Sequence, residues 1–346
     1  MRSIGPNSQN SLVQQLICVV AFLFFASPAF SQKVSAFSLF ESDSIVHIRM
    51  TTDMKLLVKK KYDEEYQPAI IEIFNPNGDT TSYDVKIKSR GNTRKKACNF
   101  PPIKIKFSKK NFLYPKLKLV ITCSNNDPYD QILLKEYMAY QIFQKLSDKG
   151  FKTELLKIEY IDTGRDRKSF VRYGFVIETA ESLADRMGGR VYNPKIMNTG
   201  VIDTGQLALF TMFQYMIANT DWAIQNLHNL EAVTDPVNKV VLVIPYDFDY
   251  SGFVDTHYAV VHESLPIESV TERYNKGVCI NANACENYRR LFISKQEEIL
   301  QSCRDFKYFN KGAKKETEGF LLGFFREIES EKNTKKIFCE NCKPMK

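Results

Sequence analysis

Two stretches of the chain combine acidic and amide side chains at spacings that suit phosphate chemistry. The first is the polar segment 219–229, in which Asp221 and Asn226 stand in a D-x-x-x-x-N arrangement. Phosphotransferases use an Asp at this spacing to orient the attacking hydroxyl and an Asn to hold a metal ion. The alternative is a capped turn in which both side chains bond to backbone groups, and spacing alone does not separate the two interpretations.

The second stretch is the apolar run 240–246, which ends in the acidic pair Asp247 and Asp249. Side chains at alternate positions of a strand point the same way, so both carboxylates would lie together at the end of this run. Carboxylates that close repel each other unless a cation or hydrogen bonds compensate the charge. The pattern therefore indicates a divalent-cation site, with a solvated acidic turn as the alternative.

A predicted β-hairpin brings the two stretches together. The apolar runs 230–233 and 240–244 flank a turn signal, and a hairpin that closes around Thr234 and Lys239 places Asn226 opposite Asp247. Asp221 would then lie one turn away. This local geometry predicts a metal–phosphate site made from both stretches.

Basic residues supply a third candidate feature on two neighbouring predicted strands. One strand face carries Lys86, Lys88 and Arg90, and the next carries Lys104 and Lys106. Such a face could receive nucleotide phosphates, with Glu136 of the following helix paired to one of the cations. The alternative is an ordinary solvated face.

Composition restricts the class of protein. The chain has 346 residues, of which 44% are hydrophobic and 25% are charged. These proportions are typical of globular proteins and exclude a disordered tail, a collagen-like fibre and a multi-pass membrane protein. The net charge of +8 fits anionic partners in general. Because no nucleic-acid-binding module is recognisable, we expect no nucleic-acid partner.

The N-terminus predicts export. The apolar run 16–30 is too short for a comfortable membrane span, and a small-x-small cleavage motif precedes Gln32. We therefore expect a signal peptide over 1–31 and a mature chain in the periplasm, at the cell surface or outside the cell. No stable membrane span would remain after cleavage, although an uncleaved anchor is the alternative. Export permits disulfides, and we expect a bridge between Cys98 and Cys123.

Hydrophobic periodicity changes along the chain. Residues 69–74, 83–88, 103–107 and 116–121 read as strands, and 129–146 has helical spacing. Beyond residue 178 the patterns are mainly helical. We expect a strand-rich N-lobe with one helix over 32–177. A mainly helical C-lobe over 178–346 would carry the Asp221 loop and the Asp-x-Asp motif.

The order of motifs resembles that of the CotH-type, spore-coat-protein-H-like secreted protein kinases. The motifs are SRGN at 89–92, PIKIKF at 102–107, LKEY at 134–137, YGFVIE at 173–178, NTDW at 219–222 and PYDFD at 245–249 before Gly252. The resemblance covers roughly residues 80–255. It implies an α+β, two-lobed protein-kinase-like fold. It also implies transfer of the ATP γ-phosphate to a hydroxyl of an exported protein, with Mg²⁺ or Mn²⁺ as the cofactor.

The resemblance also implies roles for single residues. Asp221 matches the catalytic Asp, and the metal ligands are Asn226, Asp247 and Asp249, with Asn229 as a competing candidate. The nucleotide-binding residues are Lys104 with Lys106 as the competing choice, Arg90, Glu136 as the partner of the lysine, and Glu178 near the hinge between lobes. The chain departs from ordinary kinases in having no glycine-rich phosphate loop and no His-Arg before Asp221.

Two other functions remain open from the sequence. The first is a catalytically inactive, kinase-like secreted binding protein, since an exported protein meets little ATP. The second is a metal-dependent phosphatase of the haloacid-dehalogenase type, which also places Asp-x-Asp after an apolar strand. That class needs a downstream acidic pair, and no convincing one follows Asp249.

Overall fold

A computed structural model describes Met1, residues 34–276 and residues 278–340. The predicted signal peptide, apart from Met1, lies outside the described residues. From Ser35 onward the described residues form one compact unit. None of the helices in the described ranges combines the length and the apolar character that a membrane crossing requires.

Seven strands from the first half of the chain close into a barrel. The strands are β1 (Val46–Thr52), β2 (Gln67–Phe74), β3 (Thr80–Ser89), β4 (Ile103–Lys106), β5 (Lys116–Ile121), β6 (Thr153–Asp162) and β7 (Lys168–Ile177). Their order around the barrel is β1-β2-β3-β4-β5-β7-β6. Alternate side chains point inward, so that Ile71, Ile87, Ile105 and Ile158 are buried in its core.

The prediction of a two-lobed, protein-kinase-like fold is wrong. β1 pairs with β6 in parallel, from Val46 opposite Leu156 to Thr52 opposite Asp162, and this pairing closes the strands into a barrel with no open sheet. Antiparallel neighbours are signalled by the turns between them, but a parallel partner far along the chain leaves no local signal. Closure is favourable because it pairs the backbone groups that an open sheet leaves at its edges.

The described residues form eight helices, of which Asp127–Leu146 packs against β6 and β7. They are α1 (Met54–Lys59), α2 (Thr93–Ala97), α3 (Asp127–Leu146), α4 (Ala180–Arg186), α5 (Thr204–Met216), α6 (Ala282–Asp305), α7 (Lys311–Glu329) and α8 (Glu331–Lys335). Short 3-10 turns cover Ala36–Leu39, Thr163–Arg165 and Thr199–Val201, and a π turn covers Lys336–Glu340. A separate two-stranded sheet joins β8 (Leu230–Asp235) to β9 (Val240–Pro245).

Two elements hold the region that positions the polar residues. Helix α3 is buried along most of its length among barrel, hairpin and α5–α7 side chains, because apolar residues recur on several of its faces. Cys98, which directly follows α2, forms a disulfide with Cys123 just after β5. This confirms the predicted bridge, and it ties α2 to the barrel wall.

Candidate functional site

The β8–β9 hairpin sets which amide lies beside the acidic pair. Its register places Leu230 opposite Pro245, and the backbone N–H of Tyr246 donates to the Asn229 carbonyl at 3.2 Å. The last pair is Asp235 opposite Val240, so each strand pairs one residue later than the sequence suggests, and the Asp235 carboxylate accepts hydrogen bonds from the backbone N–H groups of Val237 and Asn238 in the loop. The register is therefore shifted by two residues, and it is Asn229 that bonds to Tyr246, next to Asp247, while Asn226 lies farther along the loop.

Asp221 is held by the residues that follow it in the loop. The Asn229 side-chain amide donates to the Asp221 carboxylate Oδ2 at 2.9 Å and to its carbonyl at 2.7 Å. His228 Nε2 lies 3.0 Å from the other carboxylate oxygen. Asn219 accepts from the Asp221 N–H at 3.0 Å, and Asn226 is exposed on the same loop. The carboxylate is thus oriented from two sides while remaining half-exposed.

Asp247 and Asn229 both have left-handed backbone conformations, with φ of 63° and 53°. Asn and Asp tolerate this region better than most residues, which explains why these types suit the two positions. The Asp247 N–H donates to the hydroxyl of Tyr140 on α3 at 2.9 Å. Ala218, just before the Asp221 loop, has a φ of 50°. Strained backbone of this kind clusters at functional sites.

A buried charge network lies behind Asp247. Arg94 of α2 donates to Glu136 of α3 at 3.0 Å, and its Nε lies 3.9 Å from the Asp249 carboxylate. The Tyr258 hydroxyl donates to Asp249 at 2.8 Å. The sequence predicts that Glu136 pairs with a cation of the strand face, but its partner is Arg94, whose position just after the SRGN motif was the available hint.

Burial dominates the electrostatics of this network. It raises the pKa of Glu136 to about 7, against the opposing charge of Arg94. It raises the pKa of Asp249 well above its usual range, and the neighbouring Asp247 carboxylate adds to that effect. The Oε1 atom of Glu136 and the Nε atom of Arg94 have no hydrogen-bond partner among the residues that the structure describes. Unsatisfied buried groups are uncommon and call for an explanation.

Lys118 of β5, which the sequence patterns did not single out, lies beside the acidic end of β9. Its Nζ lies 4.1 Å from the centre of the Tyr246 ring and 3.9 Å from a carboxylate oxygen of Glu231. Burial and then the positive charge of Arg90 lower its pKa to about 8, whereas Asp247 acts in the opposite direction. The sequence did contain a signal for Lys118. Lys116 and Lys118 alternate with apolar residues along β5, as the lysines of β4 do.

The predicted nucleotide residues fall into three groups. Arg90 follows β3, and its charge acts on the pKa values of both Glu136 and Lys118, so it belongs to the site. Lys104 is directly opposite Lys118 on the neighbouring strand, and burial lowers its pKa as well. Lys106 lies two residues farther along β4, opposite Lys116, with its Nζ 5.4 Å from the Tyr66 ring centre.

Glu178 is not brought to Asp247. It is buried at the end of β7, where its carboxylate accepts from the Lys152 N–H at 2.7 Å. The same Glu178 carboxylate forms an ion pair with Arg186 of α4 at 2.6 Å. These contacts tie β7 to α4, which is a structural role.

The donor set at the acidic end of β9 is small. Within residues 34–276 and 278–340 there is no group of three or more His, Cys, Asp and Glu side chains placed to hold a metal ion. The oxygen donors present are the carboxylates of Asp247 and Asp249 and the amide oxygen of Asn229, whose nitrogen is engaged by Asp221. Oxygen donors of this kind suit Mg²⁺ and Mn²⁺, which share their coordination with water and substrate phosphates.

Comparison of the chain with models of protein families and with curated proteins finds no match. The resemblance to CotH-type kinases therefore remains a prediction from the motifs. The function has to be inferred from the chemistry that Asp221, Asp247, Lys118 and their partners can perform.

Proposed function

We propose that this chain is a metal-dependent phosphotransferase that moves the γ-phosphate of ATP to a hydroxyl of an exported protein. The observation that carries the proposal is the position of Asn229. Its side chain binds Asp221, while its carbonyl accepts from Tyr246 beside Asp247. Asn229 thus connects the half-exposed carboxylate of Asp221 to the acidic end of β9, beside which Lys118 lies. The proposal depends on this site and not on a kinase-like fold.

Asp247, with Asp249 and Asn229 in support, would hold the divalent ion. Two features make these residues suitable for such an ion. Their donors are oxygen atoms, and the Oε1 atom of Glu136 has no hydrogen-bond partner within the described residues. A cation nearby favours the ionised form of Asp249 and Glu136, whose pKa values burial raises. When bound, Mg²⁺ or Mn²⁺ would supply positive charge to the β- and γ-phosphate oxygens.

The protein's own residues then divide the remaining work. Asp221 orients the acceptor hydroxyl, whose oxygen forms a bond to the γ-phosphorus while the bond from that phosphorus to the bridging oxygen breaks. The hydroxyl proton passes to the Asp221 carboxylate and ADP leaves. Lys118, Arg90 and Lys104 neutralise phosphate charge, and an anionic phosphate favours the protonated form of Lys118. Catalysis would come mainly from positioning and charge.

A thermal-shift titration tests the site first. The full chain is melted with ATP alone, with Mg²⁺ or Mn²⁺ alone and with both, beside Asp247→Ala and the control Asp305→Ala. Asp305 is exposed at the end of α6. Ligand at a hundred times its Kd stabilises the folded state by about 2.7 kcal/mol, which corresponds to a rise of several degrees.

We expect this metal-dependent rise in the wild type and in Asp305→Ala and its loss in Asp247→Ala. Transfer of labelled γ-phosphate to a protein acceptor would then establish the reaction. No shift under any combination would contradict the proposal. A shift without transfer would instead support an inactive nucleotide-binding protein, and ATP-independent release of phosphate from a phosphoprotein would support a phosphatase.

A further inference from the structure

Six lysines cover the outer face of three neighbouring barrel strands, β3, β4 and β5. Strand pairing aligns them in two rows, which together we call the lysine face. The inner row consists of Lys88, Lys104 and Lys118, and the outer row consists of Lys86, Lys106 and Lys116. Between them along each strand lie side chains such as Ile87, Ile105 and Leu117, which are buried in the barrel core.

This arrangement destabilises the sheet in the absence of a partner. Side chains directly opposite each other on neighbouring strands have Cβ atoms about 5 Å apart, and like charges at such positions repel. The repulsion is visible at Lys104, whose pKa is lowered by burial and then by the charges of Lys116 and Lys88. A surface that keeps six opposed lysines despite this repulsion is typical of an anion-binding site.

Acidic side chains lie within ion-pair distance of two lysines of the inner row. Glu64 lies 3.4 Å from Lys88, and Glu231 lies 3.9 Å from Lys118. Over the ranges that the structure describes, Lys86, Lys106 and Lys116 have no carboxylate within ion-pair distance, and Lys86 and Lys116 are exposed. The outer row is therefore the part of the face that is free to receive an anion.

A groove continues from the outer row. Its volume is about 840 Å³, and its lining includes Lys86, Lys106 and Lys109 together with the apolar side chains of Pro68 and Ile70. The two rows are about 7 Å apart, since residues two positions apart along a strand have that spacing. Positively charged side chains therefore extend from the groove across both rows to Lys118 and the acidic end of β9.

We propose that the lysine face binds an acidic peptide segment of the acceptor protein and presents a neighbouring hydroxyl to Asp221. This inference rests on the proposed phosphotransfer function. An extended peptide carries side chains on one face at the same spacing of about 7 Å, so alternate Glu or Asp residues match the two rows. The face spans three strands only, and Glu64, Glu231 and the groove residues Asp53 and Asp84 bound it. Those carboxylates disfavour a continuous polyanion such as duplex nucleic acid or an anionic membrane.

Binding of a labelled peptide to the full chain tests the docking surface without ATP. The probe has four glutamates around one serine, and the control peptide has glutamines instead. The test variant is Lys86→Gln/Lys109→Gln/Lys116→Gln, which changes two lysines of the outer row and one of the groove, and the matched control is Lys311→Gln/Lys315→Gln/Lys332→Gln, at exposed positions of α7 and α8. We expect at least tenfold weaker peptide binding in the test variant and less than twofold change in the control. The metal–ATP thermal shift should remain in both.

Several outcomes would overturn the inference. Equal peptide affinity in the wild type and the test variant would do so, as would equal affinity for the glutamine peptide. Stronger binding of duplex DNA or of phosphatidylserine vesicles, lost in the same variant, would assign the face to a different partner. The melting temperature of the test variant should equal or exceed that of the wild type because repulsion is removed, and the single change Lys116→Gln provides a milder variant.

Failure of docking and failure of phosphotransfer are distinguishable in this design. Peptide binding without phosphate transfer would leave the docking surface in place and remove the proposed reaction. Transfer to the peptide at an unchanged KM in the test variant would keep the reaction and remove the docking surface.

Discussion

The side-chain amide of Asn229 donates to both the carboxylate and the carbonyl of Asp221. The same residue accepts a backbone hydrogen bond from Tyr246, which immediately precedes Asp247. Asn229 therefore connects the Asp221 loop to the acidic end of β9. The left-handed backbone of Asn229 makes this double connection possible, because it turns the chain between the loop and β8.

This connection predicts unequal effects for the two asparagines of the loop. Asn229→Ala should lower phosphate transfer at least tenfold, because Asp221 loses the donor that orients it. Asn226→Ala, at an exposed position of the same loop, should change transfer less than twofold. Asp221→Asn should abolish transfer and keep the metal–ATP thermal shift. Equal losses in both alanine variants, measured as kcat for an acceptor peptide, would contradict the role given to Asn229.

Removal of Arg94 should be costly for folding. Arg94→Met leaves Glu136 and Asp249 buried beside Asp247 without their cation, and breaking a buried pair in this way costs about 3–5 kcal/mol. Urea denaturation measures the free energy of unfolding. The control Lys96→Met removes an exposed cation from the same helix and should cost less than about 0.5 kcal/mol. Similar losses in the two variants would show that the buried pair is not what stabilises this region.

The free energy of unfolding should depend on the protonation of Glu154, far from Asp221 and Asp247. Burial on β6, with Glu41 nearby, raises the pKa of Glu154 to about 7, and Lys152 partly opposes this. The folded chain then binds the proton more tightly than the unfolded chain, so this contribution is present at low pH and is lost as the pH rises through 7.

Glu154→Gln removes that titration. Relative to the wild type, the variant should gain about 1–2 kcal/mol of stability between pH 5 and pH 8, less than the full pKa shift corresponds to, because solvent screens this partly exposed carboxylate. Urea denaturation at several pH values measures the difference, with Glu329→Gln at an exposed position as the control. A wild-type curve parallel to that of Glu154→Gln would contradict the prediction.

Gly252 allows a close backbone approach just after the acidic pair. A Cβ atom at this position would lie 2.3 Å from the Val270 carbonyl oxygen and 2.6 Å from the Thr271 Cα. Gly252→Ala should therefore lower the stability by about 1–3 kcal/mol. Gly319→Ala, in the interior of α7 with open space around it, should instead raise the stability by about 0.5–1 kcal/mol. Melting temperatures that move in the same direction would contradict this contrast.

Local patterns predicted much of the secondary structure. The run 69–74 lies in β2, and the helical spacing over 129–146 falls in α3. The strict alternation over 103–107 correctly separates buried isoleucines from partly exposed lysines in β4. These features depend on neighbours within a few residues, so their periodicity is written in the sequence. The turn between β8 and β9 was located correctly, but its register was not: each strand pairs one residue later, and the Asp235 carboxylate accepts the backbone hydrogen bonds of the loop.

The sequence by itself identified the types of residue that can do chemistry, many of the strands and helices around them, and Cys98 with Cys123 as a candidate bridge, which the structure contains. Tertiary structure decided that the strands close into a barrel through β1 and β6. It also decided that Glu136 pairs with Arg94 and that Lys118 is the lysine beside Asp247. Periodicity follows from short-range geometry. Closure and the choice of a partner depend on packing and desolvation between segments far apart in the chain, which no local pattern records.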